Sequence, residues 1–241
     1  MVIRFIKRFT TFLKKLFSIF LIFNLTCVST AQAAAVFVDS FDVSTTQGDL
    51  PDAVTFNNDG TKMFTVGSDG DVVGEYTLTT GFDVSTASFV DSFNISGEEG
   101  TSSALAFNND GTKMFVLGWN EDKVIEYTLT TGFDVSTASY AGDDERLFVR
   151  SQDGLPRGLA FNNDGTKMFV AGTDNDDIYE YTLTTGFDVS TASYAGADER
   201  FDTSITNPSD VTFNRSGSRM FVSSGSERKI YEFSLSTAFD I

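Results

Sequence analysis

One stretch decides the fold of this chain: Phe161-Asn162-Asn163-Asp164-Gly165-Thr166-Lys167-Met168-Phe169. The same nine residues occur at 56–64 and 107–115, and a diverged copy runs over 213–221. The leading phenylalanines of the four copies are 51, 54 and 52 residues apart, and a fixed period of about this length is typical of a repeat architecture. Within a copy, Asn-Asp-Gly between two apolar runs predicts a tight hairpin, because glycine accepts positive φ and Asn and Asp tolerate it.

Each repeat reads as four short strands separated by turn residues. In the first repeat the strands are predicted over 53–56, 62–67, 72–78 and 88–93. The three prolines of the chain each stand five residues before a first-strand phenylalanine, at Pro51, Pro156 and Pro208. Proline suits the entry of a strand, since it cannot donate a hydrogen bond to the ladder.

Four-residue loops between the second and third strands place Lys62 diagonal to Glu75 on one face of the sheet. The same spacing recurs at Lys113 and Glu126, at Lys167 and Glu180, and at Arg219 and Glu232. A glutamate that is repeated in this way could be a catalytic carboxylate. We interpret it instead as one partner of a cross-strand ion pair, which contributes about 0.2–1 kcal/mol.

The methionines beyond Met1 fall at one repeat position, and a phenylalanine follows each of them directly, as in Met63-Phe64. Adjacent residues of a strand point to opposite faces, so both faces of each sheet are predicted to be covered. This pattern predicts an all-β protein, a β-propeller whose blades each hold four antiparallel strands, with the second phenylalanine of every copy packed between blades. A two-sheet sandwich is the alternative.

Residues 36–41 nearly copy the fourth strand at 88–93, and the last repeat ends before a fourth strand of its own. We therefore expect four blades of about 52 residues over a single domain at 34–241, closed by the N-terminal strand. A truncated gene and the pairing of two chains into a larger ring are the alternatives.

Residues 1–33 have a basic start, an apolar run to Val28 and the small-residue site Ala31-Gln32-Ala33. This order predicts a secretory signal peptide, and hence an exported protein, periplasmic or extracellular, without a membrane span after cleavage. An uncleaved anchor and a lipoprotein attached through Cys27 are the alternatives. Cleavage leaves 12 Lys and Arg against 34 Asp and Glu, a net charge of −22. So acidic a chain argues against nucleic acid as a partner.

The sequence contains no histidine, and its only cysteine is Cys27. Ser-His-Asp and Cys-His nucleophiles are therefore excluded, and zinc or haem sites are disfavoured. No residue is assigned a catalytic or metal-binding role, and no cofactor is expected, although the acidic loops offer the hard oxygens that calcium prefers.

The hairpin Phe-Asn-Asn-Asp-Gly-Thr-Lys-Met-Phe-Val at 161–170 resembles the Phe-x-Pro-Asp-Gly-x-Lys hairpin of the YVTN and TolB-like propellers of exported bacterial proteins. The resemblance covers 36–241 and implies the propeller fold. It implies no activity, because relatives include lactonases, quinone-dependent dehydrogenases and scaffolds, and no catalytic motif of theirs maps onto this chain.

The repeats agree in their strands and differ in the loops that gather on one face of a propeller, where ligands usually bind. We expect a binding face built from these candidates: Asp69, Asp71, Trp119, Asn120, Glu121, Asp122, Asp174 and Asp176. The function expected from it is that of an exported, non-catalytic binding module for a protein or glycan that is cationic or neutral. The alternative is a propeller enzyme, a hydrolase or oxidoreductase, with an acidic, calcium-dependent site on this face.

Overall fold

The computed structural model describes residues 37–47 and 50–241. Residues Asp39–Ile241 form one compact unit, and the predicted signal peptide at 1–33 lies outside the described residues. Over the described part of the chain, strands dominate and form four separate antiparallel sheets, one for each sequence repeat. The prediction of an all-β, four-bladed propeller is confirmed.

The first two blades follow the predicted strand order from the channel outward. Blade 1 contains β1 (Pro51–Phe56), β2 (Lys62–Gly67), β3 (Val72–Leu78) and β4 (Ala87–Asn94). Blade 2 contains β5 (Ser102–Phe107), β6 (Lys113–Gly118), β7 (Lys123–Leu129), β8 (Ala138–Tyr140) and β9 (Arg146–Phe148). In blade 2 the outer strand is split, and both β8 and β9 pair with β7.

Blade 3 repeats the split outer strand, with β10 (Pro156–Phe161), β11 (Lys167–Gly172), β12 (Asp177–Leu183), β13 (Ala192–Tyr194) and β14 (Arg200–Asp202). Blade 4 has three strands: β15 (Pro208–Phe213), β16 (Arg219–Ser224) and β17 (Lys229–Ser234). Among the described residues, a short α-helix, α1 (Ser44–Gln47), precedes blade 1, and 3-10 turns lie at Val84–Thr86, Val135–Thr137, Val189–Thr191 and Ala197–Glu199.

The repeated hairpin forms as the sequence predicts. Gly60 takes a φ of +73°, and its N–H donates to the carbonyl of Asn57 at 3.1 Å. The carboxylate of Asp59 accepts from the backbone N–H and the hydroxyl of Thr61, and these hydrogen bonds lower the pKa of Asp59. A side chain at Gly60 would also strike the ring of Phe82, since a Cβ there would lie 2.4 Å from it. Both the turn and the packing therefore require glycine.

Neighbouring blades pack a phenylalanine face against a methionine face. Phe64 and Val66 of blade 1 meet Met114 and Tyr127 of blade 2 in one buried cluster. The same contact recurs between blades 2 and 3, through Phe115 and Met168, and between blades 3 and 4, through Phe169 and Met220. Burying side chains of this size stabilises each junction by about 1.5–3 kcal/mol per residue. Phe221, which has no following blade, is only half-buried, so the expectation of full burial holds for three of the four phenylalanines.

The repeated Lys–Glu pairs form at the predicted register, with Phe64 opposite Glu75 and Lys62 Nζ 2.6 Å from Glu75 Oε1. They also join the blades. Lys62 donates to the carbonyl of Phe133 at 2.5 Å, and Glu75 accepts the N–H of Val135 at 2.9 Å. The pair therefore connects a blade to the linker of the next blade, a role that the cross-strand interpretation did not include.

The predicted closing strand does not form. Val36 lies outside the described residues, and residues 37–41 are not part of any sheet. Phe41 instead packs edge-to-face against Tyr76 of blade 1, with ring centroids 5.4 Å apart, and among the described strands β17 pairs with β16 alone. Within the described part of the chain β17 therefore has no fourth-strand partner, although this segment lies against blade 1 as an outer strand of blade 4 would. Among the described residues, no helix has the length and apolar character needed to span a membrane.

Candidate functional site

The four inner strands line a common open channel of about 420 Å³. Each of β1, β5, β10 and β15 contributes residues to its wall. Small side chains such as Ala53 and Ala104 are among the residues that line it. A concave, mixed polar and apolar space of this size can hold a small molecule.

Asp210 stands on the wall of this channel, at the repeat position where the other blades have Ala53, Ala104 and Gly158. Its Oδ1 accepts the N–H of Val211 at 2.9 Å. The side chain is accessible to solvent, but the protein atoms around it partly desolvate the carboxyl. Loss of bulk hydration raises the pKa of Asp210 to about 6, against the opposing effect of the Val211 hydrogen bond. A carboxyl with such a pKa can accept and return a proton near neutral pH.

One end of the channel opens into a second cavity of about 320 Å³, lined by Asp52, Ser103, Arg157, Thr173, Asn207 and Ser209. We call this end the mouth. Four of these residues occupy one repeat position, the second residue of each inner strand: Asp52, Ser103, Arg157 and Ser209. The fold brings these four divergent side chains together around a single opening, which makes the mouth chemically asymmetric.

Trp119 supports the mouth from the side. The guanidinium of Arg157 lies over its indole ring, 4.7 Å from the ring centroid, and such a contact contributes about 0.5–2 kcal/mol. The indole Nε1 is buried and has no hydrogen-bond partner within the described structure. Trp119 is therefore packed beneath Arg157, and the cationic group that it holds is the one that faces the cavity.

The other predicted binding residues lie in the loops 68–71, 119–122 and 173–176. Asp69, Asn120 and Asp174 are exposed there, as expected for a binding face. Glu121 is also exposed but forms an ion pair with Lys123 at 2.7 Å, and this hydrogen bond lowers the pKa of Glu121.

Three predicted residues have roles in holding the loops. Asp71 adopts a φ of 48°, and its carbonyl accepts the N–H of Ile95 at 2.9 Å. Asp122 is buried beside Arg150, with Oδ2 3.4 Å from the guanidinium, and desolvation raises the pKa of Asp122. Asp176 accepts the N–H of Asn207 at 2.7 Å and so fixes one residue of the mouth. The predicted loop residues therefore fall into two groups, those exposed to solvent and those whose contacts hold the loops in place.

Carboxylate groups close enough to share a metal ion occur elsewhere among the described residues. Their oxygens approach within 4.8 Å in two triplets, Glu126 with Glu145 and Asp188, and Glu180 with Glu199 and Asp240. A lysine ammonium already pairs with the buried glutamate of each triplet, at 2.6 Å for Lys113 and 2.8 Å for Lys167. Calcium binding by the acidic loops, which the sequence allows although no cofactor is expected, stays a hypothesis.

Asp210, Arg157 and Asp52 were not among the predicted site residues. A signal for them existed, because the inner strands read Pro-Asp-Ala, Ser-Ser-Ala, Pro-Arg-Gly and Pro-Ser-Asp at otherwise repeated positions. When a position inside a repeated strand differs between copies, the packing that the copies share does not constrain the residue there. Divergence in the loops alone does not point to the channel.

No protein-family model matches the sequence, and no curated protein matches it. Solved structures do match. A protein from Bacteroides uniformis, provisionally assigned as a 6-phosphogluconolactonase, aligns with a TM-score of 0.57 and 13% identity over 79% of this chain and 52% of that chain. A protein from Bacteroides fragilis with the same provisional assignment aligns with a TM-score of 0.55 and 14% identity, again over 79% and 52%.

A protein from Lactobacillus plantarum also aligns, with a TM-score of 0.56 and 12% identity over 79% of this chain and 52% of that chain. The chain thus spans about half the length of the solved structures that it matches. Our expectation of a non-catalytic binding module is corrected by this comparison, since the two Bacteroides propellers carry provisional lactonase assignments. At sequence identities this low, the structural similarity establishes the propeller fold and does not establish a shared activity.

Proposed function

We propose that the protein is a hydrolase that cleaves a lactone or another carboxylic ester in the channel, with Asp210 as the general base. The observation that carries this proposal is the carboxyl of Asp210, the acidic member of its repeat position, which lies on the channel wall and has a pKa of about 6. The similar propellers described as lactonases support the choice of reaction class.

The chemistry requires no histidine or cysteine. The Asp210 carboxylate removes a proton from a water molecule as that water attacks the carbonyl carbon of the ester. The ring or ester C–O bond then breaks, and the protonated Asp210 returns its proton to the leaving alkoxide. Water is consumed, and a carboxylic acid and an alcohol are the products. A base with a pKa just below neutral is largely ionised at pH 7 and retains more basicity than an ordinary carboxylate.

The mouth supplies substrate selection. Arg157 is held over Trp119 at the cavity edge and presents a fixed positive charge. Guanidinium groups bind carboxylates and phosphates through two parallel hydrogen bonds. Ser103, Ser209 and Asn207 around it offer neutral groups that suit sugar hydroxyls. We therefore propose an anionic sugar-acid lactone, with or without a phosphate, as the substrate class.

The experiment is a hydrolysis assay on full-length protein with D-glucono-1,5-lactone and its 6-phosphate, in which acid release is followed after subtraction of spontaneous hydrolysis. Asp210→Asn should lower kcat/KM by about 10²–10⁴-fold, which is the usual contribution of a general base. Asp198→Asn, an exposed carboxyl on the outer rim, is the matched control and should match wild type. Hydrolysis no faster than the blank for both lactones, or equal rates for Asp210→Asn and wild type, would refute the proposal.

A further inference from the structure

In blades 2, 3 and 4, one sheet face packs against the preceding blade. The equivalent face of blade 1 is uncovered. Val54 is 58% exposed, whereas its equivalents Leu105, Leu159 and Val211 are buried against the preceding blade. Phe82 is 61% exposed, whereas Phe239 at the same position of blade 4 is buried. The apolar surface that joins one blade to the previous one is therefore present on blade 1 and lacks a neighbour in this structure.

The opposite face of blade 4 is uncovered as well. Ile230 is 77% exposed, while the equivalent Val73, Val124 and Ile178 are fully buried. Glu232 is 49% exposed, although the glutamates at its position in the other blades are buried. Apolar side chains of this size rarely stand free on a face that is otherwise used for packing.

The N-terminal segment shows what fits between these two faces. Phe41 meets Tyr76 at 5.4 Å and an interplanar angle of 77°. Phe93, on the outer strand of blade 1, meets Tyr127 of blade 2 at 5.4 Å and 76°. Residues 39–43 thus lie against blade 1 in the way that an outer strand lies against the blade that follows it. Among the described residues this segment belongs to no sheet, and β17 has no outer strand paired with it.

We propose that a second copy of this chain supplies the missing neighbour, so that β17 of one copy pairs with residues 39–42 of the other. The register follows from blade 1, where Val72 faces Asn94 and Val73 faces Phe93. The equivalent pairs place Lys229 opposite Asp42 and Ile230 opposite Phe41. The first pair joins opposite charges, and the second covers the most exposed side chain of the blade 4 face.

The contacts between the Lys–Glu pair of one blade and the linker of the next blade support the same pairing of blade 4 with blade 1. Inside the chain, Lys62 and Glu75 hold the carbonyl of Phe133 and the N–H of Val135 on the next blade. On blade 4 the Arg219–Glu232 pair forms but holds no linker among the described residues. The Phe82 carbonyl and the Val84 N–H of the partner copy would complete it. Counterparts of these junction contacts are therefore present on blade 4 and on blade 1.

Two copies are favoured over closure within one chain because both faces are exposed in the same molecule. The propellers that the chain resembles contain about twice the length of chain that this chain covers. Two copies give eight blades, within the range of known propellers. Two identical head-to-tail junctions related by a two-fold axis close the ring and leave no free face.

Cross-linking tests the proposal in the full-length chain with Cys27→Ser. Asp42→Cys and Lys229→Cys variants are purified separately, mixed and oxidised, and the mixture is repeated with a short thiol-reactive linker. Opposed residues of a strand pair have Cβ atoms about 4.5–5.5 Å apart, so a covalent dimer should form in the mixture far faster than in either variant alone. Sedimentation of the unlinked protein over a dilution series should show a dimer, and Ile230→Asp should raise its dissociation constant at least about tenfold.

Each other result contradicts the proposal. A double variant Asp42→Cys/Lys229→Cys that cross-links within one chain shows that the ring closes with four blades. A monomer at every concentration, or a dimer indifferent to Ile230→Asp and to both cysteines, shows that these faces are not the contact. None of these readouts depends on lactone hydrolysis, so the two proposals fail separately.

Discussion

The Cβ position of Gly158 lies 2.6 Å from the Cα of Asp210 and 3.0 Å from its Oδ1. Gly158 belongs to the inner strand of blade 3, and Asp210 belongs to that of blade 4. The absence of a side chain at one position is what lets the other strand approach and place a carboxyl on the channel wall. The glycine and the carboxyl, which occupy the same repeat position on neighbouring blades, therefore form one structural unit.

We expect Gly158→Ala to displace β15 and to destabilise the protein by about 1–3 kcal/mol, the usual cost of an added methyl in a tight contact. Activity should fall with it, since the displaced strand carries Asp210. Gly97→Ala is the matched control, because nothing lies within 4 Å of its Cβ position. Thermal unfolding of both variants measures the difference, and equal melting temperatures would contradict the close contact.

The pH dependence of activity should follow Asp210. Because the base must be ionised, kcat/KM should rise as the pH rises through about 6 and then level off. In Asp210→Asn the residual rate should lose this step. A pH–rate profile between pH 4 and 8 checks both, and an unchanged step in the variant would assign the pKa to another group.

The same group gives a stability effect of known sign. The pKa of Asp210 is raised from 3.8 to about 6 in the folded protein, so its protonated form favours folding. This contribution is complete below the unfolded pKa and is lost as the pH rises through the folded value. At pH 7 the free energy of unfolding of Asp210→Asn should therefore be higher, relative to that of the wild type, than it is at pH 4. Denaturant unfolding of both proteins at the two pH values measures this difference.

Removing Glu126 should cost much more than removing Glu232, although both occupy the same repeat position. Glu126 is buried, pairs with Lys113 at 2.6 Å and accepts the N–H of Val189 at 3.2 Å, whereas Glu232 is half-exposed. Desolvation raises the pKa of Glu126. Removal of its side chain would leave the Lys113 ammonium and the Val189 N–H without this hydrogen-bond acceptor. We expect about 3 kcal/mol for Glu126→Ala and under about 1 kcal/mol for Glu232→Ala by urea unfolding. Similar costs would show that the linker contact adds nothing.

Phe115→Ala should destabilise the protein by about 3–5 kcal/mol, because its ring is fully buried between blades 2 and 3. Its centroid lies 4.7 Å from that of Phe161 and 6.3 Å from that of Phe187, so the substitution opens a cavity among aromatic rings. Phe148→Ala on the exposed outer strand is the control and should change stability by about 0.5 kcal/mol or less. A loss below about 1 kcal/mol at Phe115 would contradict this packing.

Trp119, the single tryptophan of the chain, reports on the mouth because Arg157 lies over its ring. We expect the anionic lactone to change the intrinsic fluorescence of the wild type. In Arg157→Leu, KM for the phosphorylated lactone should rise by about tenfold or more, with a smaller effect on the neutral lactone. Equal KM values for the two proteins would show that Arg157 does not contact the anion.

Repetition made the fold readable from sequence. Asn57, Asp59 and Gly60 define the same local hairpin wherever they recur, because the turn depends on backbone conformation and near-neighbour hydrogen bonds. The Met63-Phe64 alternation placed large side chains on both sheet faces, and stacked blades are the arrangement that covers both. The charge balance and the absence of histidine restricted the chemistry without any coordinates.

The tertiary structure alone decided the site and the ends. Asp52, Ser103, Arg157 and Ser209 are about fifty residues apart in sequence, and a shared channel makes them neighbours. The pKa of Asp210 depends on the walls around it, which belong to other blades. The sequence identifies residues 36–41 as a copy of an outer strand. The contact of Phe41 with Tyr76 and the free edge of β17 could be found only in the structure. Local sequence determines turns and strands through short-range contacts, whereas channels and junctions arise from contacts between distant segments.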